Sequence, residues 1–347
     1  MLCRVADSLF WMSRYIERAE DTARVVDVNI QLLLERYHSD PQMMENHWGR
    51  ILDGFGERAV FETIYDEITT QYVAEYLTFS RKNPSSILSC IFAARENARM
   101  IRDQISSEMW EIINRLYLFL KGQDAERVLR AGVSEFFTQI KEFAHLFRGV
   151  TDATFPRQLG YEFIRAGCYL ERAYKTVDIL DSKHYLLEAG GKAGDGTALE
   201  VVEWVSVLRS CAGAEAYHRV YVSDVSRLNV VAFLVQSRAF PHSILFSLSQ
   251  LQLALHSISG CPLSQFSNEA ERLCGRAISQ VLYTSAGEIV EEGFHDYLQG
   301  IKAAAEKIAI ELGNSYMFFP IVDPVEDGDD EDGAEAELQE QGQGGVA

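Results

Sequence analysis

A repeated helical pattern constrains the fold of this chain more than any other feature of its sequence. From Val5 onward, apolar residues recur at alternating steps of four and three, which places them on one face of a single long helix. The same spacing returns from Leu159 onward. The first series is Val5, Leu9, Met12, Ile16, Ala19, Ala23, Val26, Ile30, Leu33 and Tyr37, and the second is Leu159, Phe163, Ala166, Leu170, Ala173, Val177, Leu180, His184 and Leu187. Two long amphipathic helices are therefore predicted, and the rest of the fold must cover their apolar faces.

The two series belong to an internal repeat. The sequence Tyr-Ile-Glu-Arg-Ala at 15–19 returns as Tyr-Leu-Glu-Arg-Ala at 169–173, and Trp48 returns as Trp204. The proline and serine region around Pro84 also returns around Pro241. Agreement among these separate anchors predicts a tandem duplication, with one half at 1–150 and the other at 155–318.

The remaining pattern favours an all-α fold, in which the two duplicated halves pack as one elongated helical bundle. None of the seven prolines interrupts an amphipathic stretch, and no stretch alternates apolar and polar residues long enough to make a strand. Asn83 and Pro84 predict the start of a long helix whose apolar face continues to Leu116. A further helix is predicted over 125–147.

Charge and composition exclude several functions. The net charge of −19 is concentrated at the C-terminus, where 323–347 contains ten acidic residues and no Lys or Arg. That segment is predicted to be a disordered acidic tail, because it offers few large apolar groups to bury. The rest of the chain is still acidic, which argues against nucleic-acid binding. There is no apolar run of about 18 residues for a membrane span, no signal peptide and no paired-cysteine motif, so a cytoplasmic protein with reduced thiols is predicted.

Charged residues on the two repeated helices are the first candidates for a functional site. Arg14, Glu17 and Arg18 lie off the apolar face of the first helix, and Glu171 and Arg172 repeat the last two. A Glu and an Arg that are adjacent on a helix do not face each other, so each is predicted to find its partner on another element. The set is interpreted either as a structural ion-pair network at a helix crossing or as part of a ligand site.

An arginine ladder follows on the helix after Pro84. Arg95, Arg99 and Arg102 step by four and three, with Glu96 beside them, whereas the corresponding positions of the second half carry no arginine. A requirement of the scaffold would be expected in both halves, so the ladder favours an anion site specific to the first half. Neutralisation by Glu17, Asp21 or Glu96 is the alternative. The complete candidate set for anion binding is Arg14, Glu17, Arg18, Arg95, Glu96, Arg99, Arg102, Glu171 and Arg172.

The sequence contains no motif that completes a catalytic or metal site. Four Glu-x-x-His pairs, the spacing used in di-metal helical bundles, occur at Glu35/His38, Glu142/His145, Glu215/His218 and Glu292/His295. Of these, only Glu215/His218 falls in an apolar helix, and one pair does not complete a site. No serine or cysteine lies in a nucleophile elbow. No metal, cofactor or catalytic residue is predicted.

Several blocks of the sequence resemble the bacterial alpha-E family. They are Tyr15–Glu20, the stretch from Asn83 through Arg99 to Trp110, Tyr169–Ala173 and Phe240-Pro241, within a resemblance that covers 1–318. The resemblance implies an all-helical domain found beside, or fused to, circularly permuted ATP-grasp ligases and transglutaminase-like peptidases. It thus implies a helical component of a system that makes or modifies peptide or amide bonds, with these two proteins as partners. The alternative is an enzyme in its own right, either a di-metal carboxylate bundle or a hydrolase or transferase. One departure is His242, where the resemblance implies an arginine.

Overall fold

Helices form all the regular structure in the computed structural model, which describes residues 1–36, 41–184, 198–222, 225–291 and 293–317. The predicted tail at 323–347 and the ends of both apolar series, Tyr37 and Leu187, lie outside the described residues. Within those ranges there are sixteen helices and no strand. The helices are α1 (Cys3–Arg36), α2 (Pro41–Gly54), α3 (Arg58–Glu62), α4 (Thr70–Thr78), α5 (Ile87–Met100), α6 (Ser107–Lys121), α7 (Ala125–Ala131), α8 (Val133–Thr154), α9 (Leu159–Asp181), α10 (Ala198–Ser210), α11 (Ala214–Val220), α12 (Arg227–Gln236), α13 (Ile244–Ser259), α14 (Glu269–Tyr283), α15 (Ala286–Glu291) and α16 (Phe294–Tyr316). The prediction of an all-α fold is confirmed.

The two helices that carry the repeated Glu-Arg pair lie at the centre and pack against each other. Helix α1 has 34 residues and is therefore about 50 Å long. It packs against α9 and α5, and α9 packs in turn against α13. Around them, α5 contacts α6 and α8 contacts both α6 and α1, while α13 contacts α14 and α16 contacts both α14 and α9. The larger contacts of α1 and α9 therefore follow a similar pattern along the chain.

Two helix boundaries differ from the prediction. The helix after Pro84 begins three residues later, at Ile87, because the Ser86 side chain accepts the first hydrogen bond, from the Ser89 N–H. It ends at Met100, so the prediction of one helix reaching Leu116 was wrong. The apolar spacing continues through the break because Ile101 and Ile105 are buried within the connecting turn.

The predicted helix at 125–147 is also divided. Gly132 separates α7 from α8, and its φ of 139° is a backbone conformation that other residues rarely adopt. Two helices that contact each other, α7 and α8, thus supply the apolar face that was expected from one helix.

The core is built from the predicted apolar faces. Trp48 and Trp204, which the repeat places at corresponding positions, are both fully buried. All six cysteines are described and none forms a disulfide, as the sequence predicted. Within the described ranges, none of the helices combines the length and the apolarity that crossing a bilayer requires.

Candidate functional site

Helices α1 and α9 approach each other unusually closely. The Ser13 hydroxyl donates a hydrogen bond to the Ile164 carbonyl at 2.7 Å. On the other side of the contact, a Cβ atom at Gly167 would lie only 2.3 Å from the Phe10 carbonyl oxygen. Glycine is therefore required there for the two backbones to meet. This approach places the Glu-Arg pair of each helix against the other helix.

The two Glu-Arg pairs exchange partners across the crossing. The Arg172 Nε donates to Glu17 at 2.6 Å, and the Arg18 Nε donates to Glu171 at 2.5 Å. Arg14 also donates to Glu171, at 2.8 Å. The prediction that each residue of a pair finds its partner on another element is confirmed.

Glu171 is held in its ionised form by two guanidinium groups. Its side chain is completely buried, and burial alone would raise the pKa of the carboxyl. The positive charges of Arg18 and Arg14 outweigh burial and lower the pKa of Glu171 to about 2. The exchange therefore stabilises a charge that the protein interior would otherwise reject.

On the opposite side of the crossing lies a larger charged group, which we call the Glu17 cluster. It consists of Glu17, Glu20, Asp21, Arg24, Arg148, Arg172 and His242. Arg148, from α8, lies 2.5 Å from a carboxylate oxygen of Glu20 and 3.4 Å from one of Glu17. Glu20 also pairs with Arg24, one turn away on α1. Three helices thus contribute charges to one buried volume.

Burial shifts the pKa of two members of the Glu17 cluster. Burial, together with the charges of Glu17 and Glu20, raises the pKa of Asp21 well above its ordinary value. Burial lowers the pKa of His242 to about 3, and the positive charge of Arg172 acts in the same direction, so this imidazole is neutral at pH 7. The guanidiniums of Arg24, Arg148 and Arg172 therefore face the carboxylates of Glu17 and Glu20, beside an acid whose ionisation burial opposes.

A cavity of about 220 Å³ opens beside the Glu17 cluster. Its walls include Glu17, Arg148, Arg172 and Cys168. Within the described residues, the buried Nε of Arg148 has no hydrogen-bond partner, and neither does one carboxyl oxygen of Asp21. The Cys168 thiol lies 3.2 Å from Glu17, and burial raises the pKa of this thiol to about 12, so it is no thiolate nucleophile. The arrangement suits the binding of a small anionic group.

The Glu-Arg pairs at this crossing agree with a comparison against protein families. The sequence profile of Alpha-E, described as a predicted alpha-helical domain with a conserved ER motif, matches residues 1–317. The chain belongs to the Alpha-E family. This Alpha-E chain contains the sequence Tyr-Ile/Leu-Glu-Arg-Ala twice, at 15–19 and 169–173, and the Glu-Arg pairs of these two copies are each other's partners.

Curated relatives of this Alpha-E protein come from mycobacteria. An uncharacterized protein of Mycobacterium bovis and two uncharacterized proteins of Mycobacterium tuberculosis are each 22% identical to it over 346 residues. The match covers 91% of this chain but 37% of each relative, so the chain spans about a third of their length. No solved structure matches this chain.

The arginine ladder lies apart from the Glu-Arg crossing. Arg95 and Arg99 share the carboxylate of Glu96, at 2.9 and 2.6 Å, and Arg95 also donates to Asn114. Arg102 lies past the end of α5, with its guanidinium over the Trp110 ring. All these partners belong to α5, α6 or the turn between them. The nine candidate residues therefore form two separate groups, with Arg14, Glu17, Arg18, Glu171 and Arg172 at the crossing.

The Glu-x-x-His pairs do not assemble a di-metal site within the described part of the chain. Glu142/His145 lies exposed on α8, and Glu215/His218 lies exposed on the short helix α11, so neither pair faces inward. Glu292 lies outside the described residues, as does His38. Among the histidines of these pairs that the structure describes, only His295 belongs to a group of three possible metal ligands.

Four members of the Glu17 cluster, namely Glu20, Arg24, Arg148 and His242, were not among the residues that the sequence predicted for the site. Arg148 follows a phenylalanine-rich face on α8, and nothing in its spacing connects it to α1. His242 was noticed only as a departure from the family pattern. In the structure, its ring lies 3.9 Å from Asp21, and its carbonyl accepts a hydrogen bond from Thr176.

Proposed function

We propose that this protein is a helical component of a bacterial ATP-grasp-linked system that makes or modifies peptide or amide bonds. It acts in the cytoplasm with a circularly permuted ATP-grasp ligase and a transglutaminase-like peptidase, and it binds neither nucleic acid nor membrane. Membership of the Alpha-E family is the observation that carries this proposal. The mycobacterial relatives hold the matched region within a much longer chain, which supports a role beside another protein module.

The same proposal includes a tandem duplication, with halves at 1–150 and 155–318. The similar contact patterns of α1 and α9 support it. Divergence between the halves supports a division of labour, because the positions of the second half that correspond to Arg95, Arg99 and Arg102 carry no arginine.

The cavity beside the Glu17 cluster is the proposed site for a substrate carboxylate or phosphate. The positive charges of Arg148 and Arg172 on its wall act more strongly there than in water, because a partly buried site screens them less. Arg165 extends this cationic lining at the rim, where it pairs with Glu162 and Gln250 rather than with the Glu-Arg exchange. Substitution of Arg165 therefore tests ligand binding in the cavity and leaves the Glu-Arg pairs between α1 and α9 in place.

Replacing Arg165 with Gln should weaken ligand binding and leave folding intact. L-glutamate, a glutamate-containing dipeptide and inorganic phosphate are titrated into the purified protein, and the shift in melting temperature is recorded. We expect at least one of them to stabilise the wild type, and Arg165→Gln to weaken its binding about tenfold, the effect of about 1.4 kcal/mol. Arg272→Gln is the matched control, since Arg272 also forms an i,i+3 pair with a glutamate but lies elsewhere. An absence of stabilisation by all three compounds would refute the cavity assignment.

The arginine ladder is the proposed docking surface for the ligase. The side chain of Arg99 is 64% exposed and shares its single carboxylate with Arg95, which leaves the surface of α5 cationic. An acidic group on a partner would meet complementary charge there, which mainly increases the rate and the specificity of association.

Substituting Arg99 by Ala should therefore weaken the complex while barely changing stability. Tagged protein is co-expressed with a circularly permuted ATP-grasp ligase of the same organism, and complex formation is measured by co-purification and light scattering. Arg99→Ala should change the free energy of unfolding by less than about 0.5 kcal/mol. Arg130→Ala is the control, because Arg130 is 78% exposed and pairs with a glutamate on the same helix. If no complex forms, or if both variants weaken it equally, the docking surface lies elsewhere.

A further inference from the structure

Three metal-ligating side chains meet where the end of α9 faces the start of α16. Asp181 is the last residue of α9, His184 follows it by three residues, and His295 is the second residue of α16. The His295 Nδ1 lies 2.7 Å from Asp181 Oδ1, and the two imidazole rings are 4.9 Å apart between centroids. One ligand atom from each residue lies within 4.8 Å of the others. We propose that Asp181, His184 and His295 bind a zinc ion.

The donor set is chemically appropriate for zinc. Imidazole nitrogen and carboxylate oxygen bind Zn²⁺ at about 2.0–2.2 Å, so neighbouring ligand atoms of a tetrahedral site lie about 3.3 Å apart. Bringing the ligand atoms from their present spacing to these distances requires the two histidine side chains to rotate. The side chain of His184 is 31% exposed and that of His295 is 43% exposed, so an ion can reach both from solvent. Three protein ligands would leave a fourth position for water or another ligand.

Neighbouring groups form hydrogen bonds that orient these side chains. Hydrogen bonds of this kind orient the ligands in known metal sites. The His184 Nδ1 lies 2.6 Å from the Asp181 carbonyl, which can only accept, so this nitrogen donates and the Nε2 carries the lone pair. The second carboxylate oxygen of Asp181 accepts a hydrogen bond from Gln299 at 2.9 Å. Such second bonds fix ligand orientation. The C-terminus of the 23-residue helix α9 adds the negative end of its dipole, which favours a cation.

Asp181 also differs from the other carboxylates of α9 in its partners. Asp178, one turn earlier, pairs with Lys175 and Lys302, and Glu171 pairs with two arginines. The side chain of Asp181 is 5% exposed, and within the described chain it pairs with histidines but with no lysine or arginine. A buried carboxylate needs a compensating cation. A metal ion held jointly with the two histidines supplies one.

The proposal is tested with untagged full-length protein freed of metal by chelation. Zn²⁺ is titrated against a competing chromogenic chelator, and melting temperature is followed in parallel. We expect one zinc ion per chain, a rise in melting temperature with zinc, and no effect of Mg²⁺, which prefers sites made only of oxygen ligands. His295→Ala should lower zinc affinity at least tenfold, and His184→Ala should do the same. Circular dichroism confirms that each variant is folded.

Two further variants test whether zinc binds at Asp181, His184 and His295 rather than elsewhere on the protein. His218→Ala removes an exposed histidine on α11 and should bind zinc like the wild type. Cys261→Ser tests a second group of possible ligands, formed with His256 and Glu271. In that group, Glu271 is already occupied in capping α14 through Ser267 and Asn268. Zinc binding that survives both His295→Ala and His184→Ala, or that is lost only in Cys261→Ser, would overturn the proposal.

Discussion

Glu171→Gln is expected to lower the free energy of unfolding by about 3–5 kcal/mol, the cost of removing one partner from a buried ion pair. The substitution keeps the shape of the side chain but removes the charge that compensates both Arg14 and Arg18. Neither arginine can reach water fully, because the side-chain exposures are 9% and 16%. Urea unfolding followed by circular dichroism measures the loss.

The acid dependence of stability provides a second measurement of the same charge. The folded pKa of Glu171, about 2, lies below its ordinary value of 4.5. Its ionised form is therefore favoured by folding, and its contribution is complete above pH 4.5 and is lost as the pH falls towards 2. Wild type and Glu171→Gln should differ most near neutral pH and converge across this window. A constant difference at all pH values would mean that shape, not charge, accounts for the loss.

Asp21→Asn is the matched control, and its effect should have the opposite sign. Burial raises the pKa of Asp21, so folding favours the protonated acid, and ionisation of the unfolded chain opposes folding above the ordinary pKa of 3.8. Removing the ionisable group should raise the free energy of unfolding at neutral pH by about 1 kcal/mol or more. The gain should disappear as the pH falls through 3.8. A loss as large as that of Glu171→Gln would show that Asp21 is ionised in the folded protein.

The opposite expectations for these two acids bear on function. Glu171 satisfies two arginines and is explained by stability alone, whereas Asp21 is a buried acid whose ionisation is opposed by its surroundings, in the cluster beside the cavity. Groups with strongly shifted pKa values concentrate at functional sites. The Glu17 side of the crossing is therefore the better candidate for binding, and the Glu171 side for holding the fold together.

The sequence predicted the elements and the kind of contact, but not the identity of the partners. The spacing of four and three identified α1 and α9, and the rule that adjacent helical residues do not pair predicted that Glu17 and Arg18 find partners elsewhere. Their partners depend on how the two helices cross, which spacing within one helix does not encode. For the same reason, the sequence did not predict that Arg148 and His242 contact residues of α1.

Apolar spacing also failed where the chain turns without becoming exposed. Ile101 and Ile105 continue the periodic pattern of α5 but are buried in a turn, so the pattern could not reveal the helix end. The better signal was chemical, since Ser106 accepts a hydrogen bond from the Met109 N–H and caps α6. The proposed zinc ligands illustrate the other limit. Asp181 and His184 are three residues apart, but His295 comes from a helix more than a hundred residues later.

The close approach of α1 and α9 depends on the absence of a side chain at Gly167. A Cβ atom at this position would lie 2.3 Å from the Phe10 carbonyl oxygen and 3.1 Å from its carbon. Both atoms are backbone, so no side-chain rotation can relieve the overlap, and α1 and α9 must move apart. Separation would lengthen the Ser13 hydrogen bond and the Glu-Arg contacts together. Gly167→Ala should therefore cost more than about 3 kcal/mol, above the usual penalty for overpacking, despite the better helix propensity of alanine.

Gly149→Ala separates this steric effect from helix propensity. Gly149 lies within α8 and has no atom within 4 Å of its added Cβ, so the substitution should stabilise the protein by up to about 1 kcal/mol. Urea unfolding of the two variants measures both effects under one condition. Because the Glu-Arg exchange depends on the same approach, Gly167→Ala should also reduce the acid-dependent part of stability that Glu171 provides. If Gly167→Ala lowers the free energy of unfolding by less than about 1 kcal/mol and leaves its acid dependence unchanged, the helices can separate without breaking the Glu-Arg exchange. In that case, Gly167 is not what brings the two Glu-Arg pairs together.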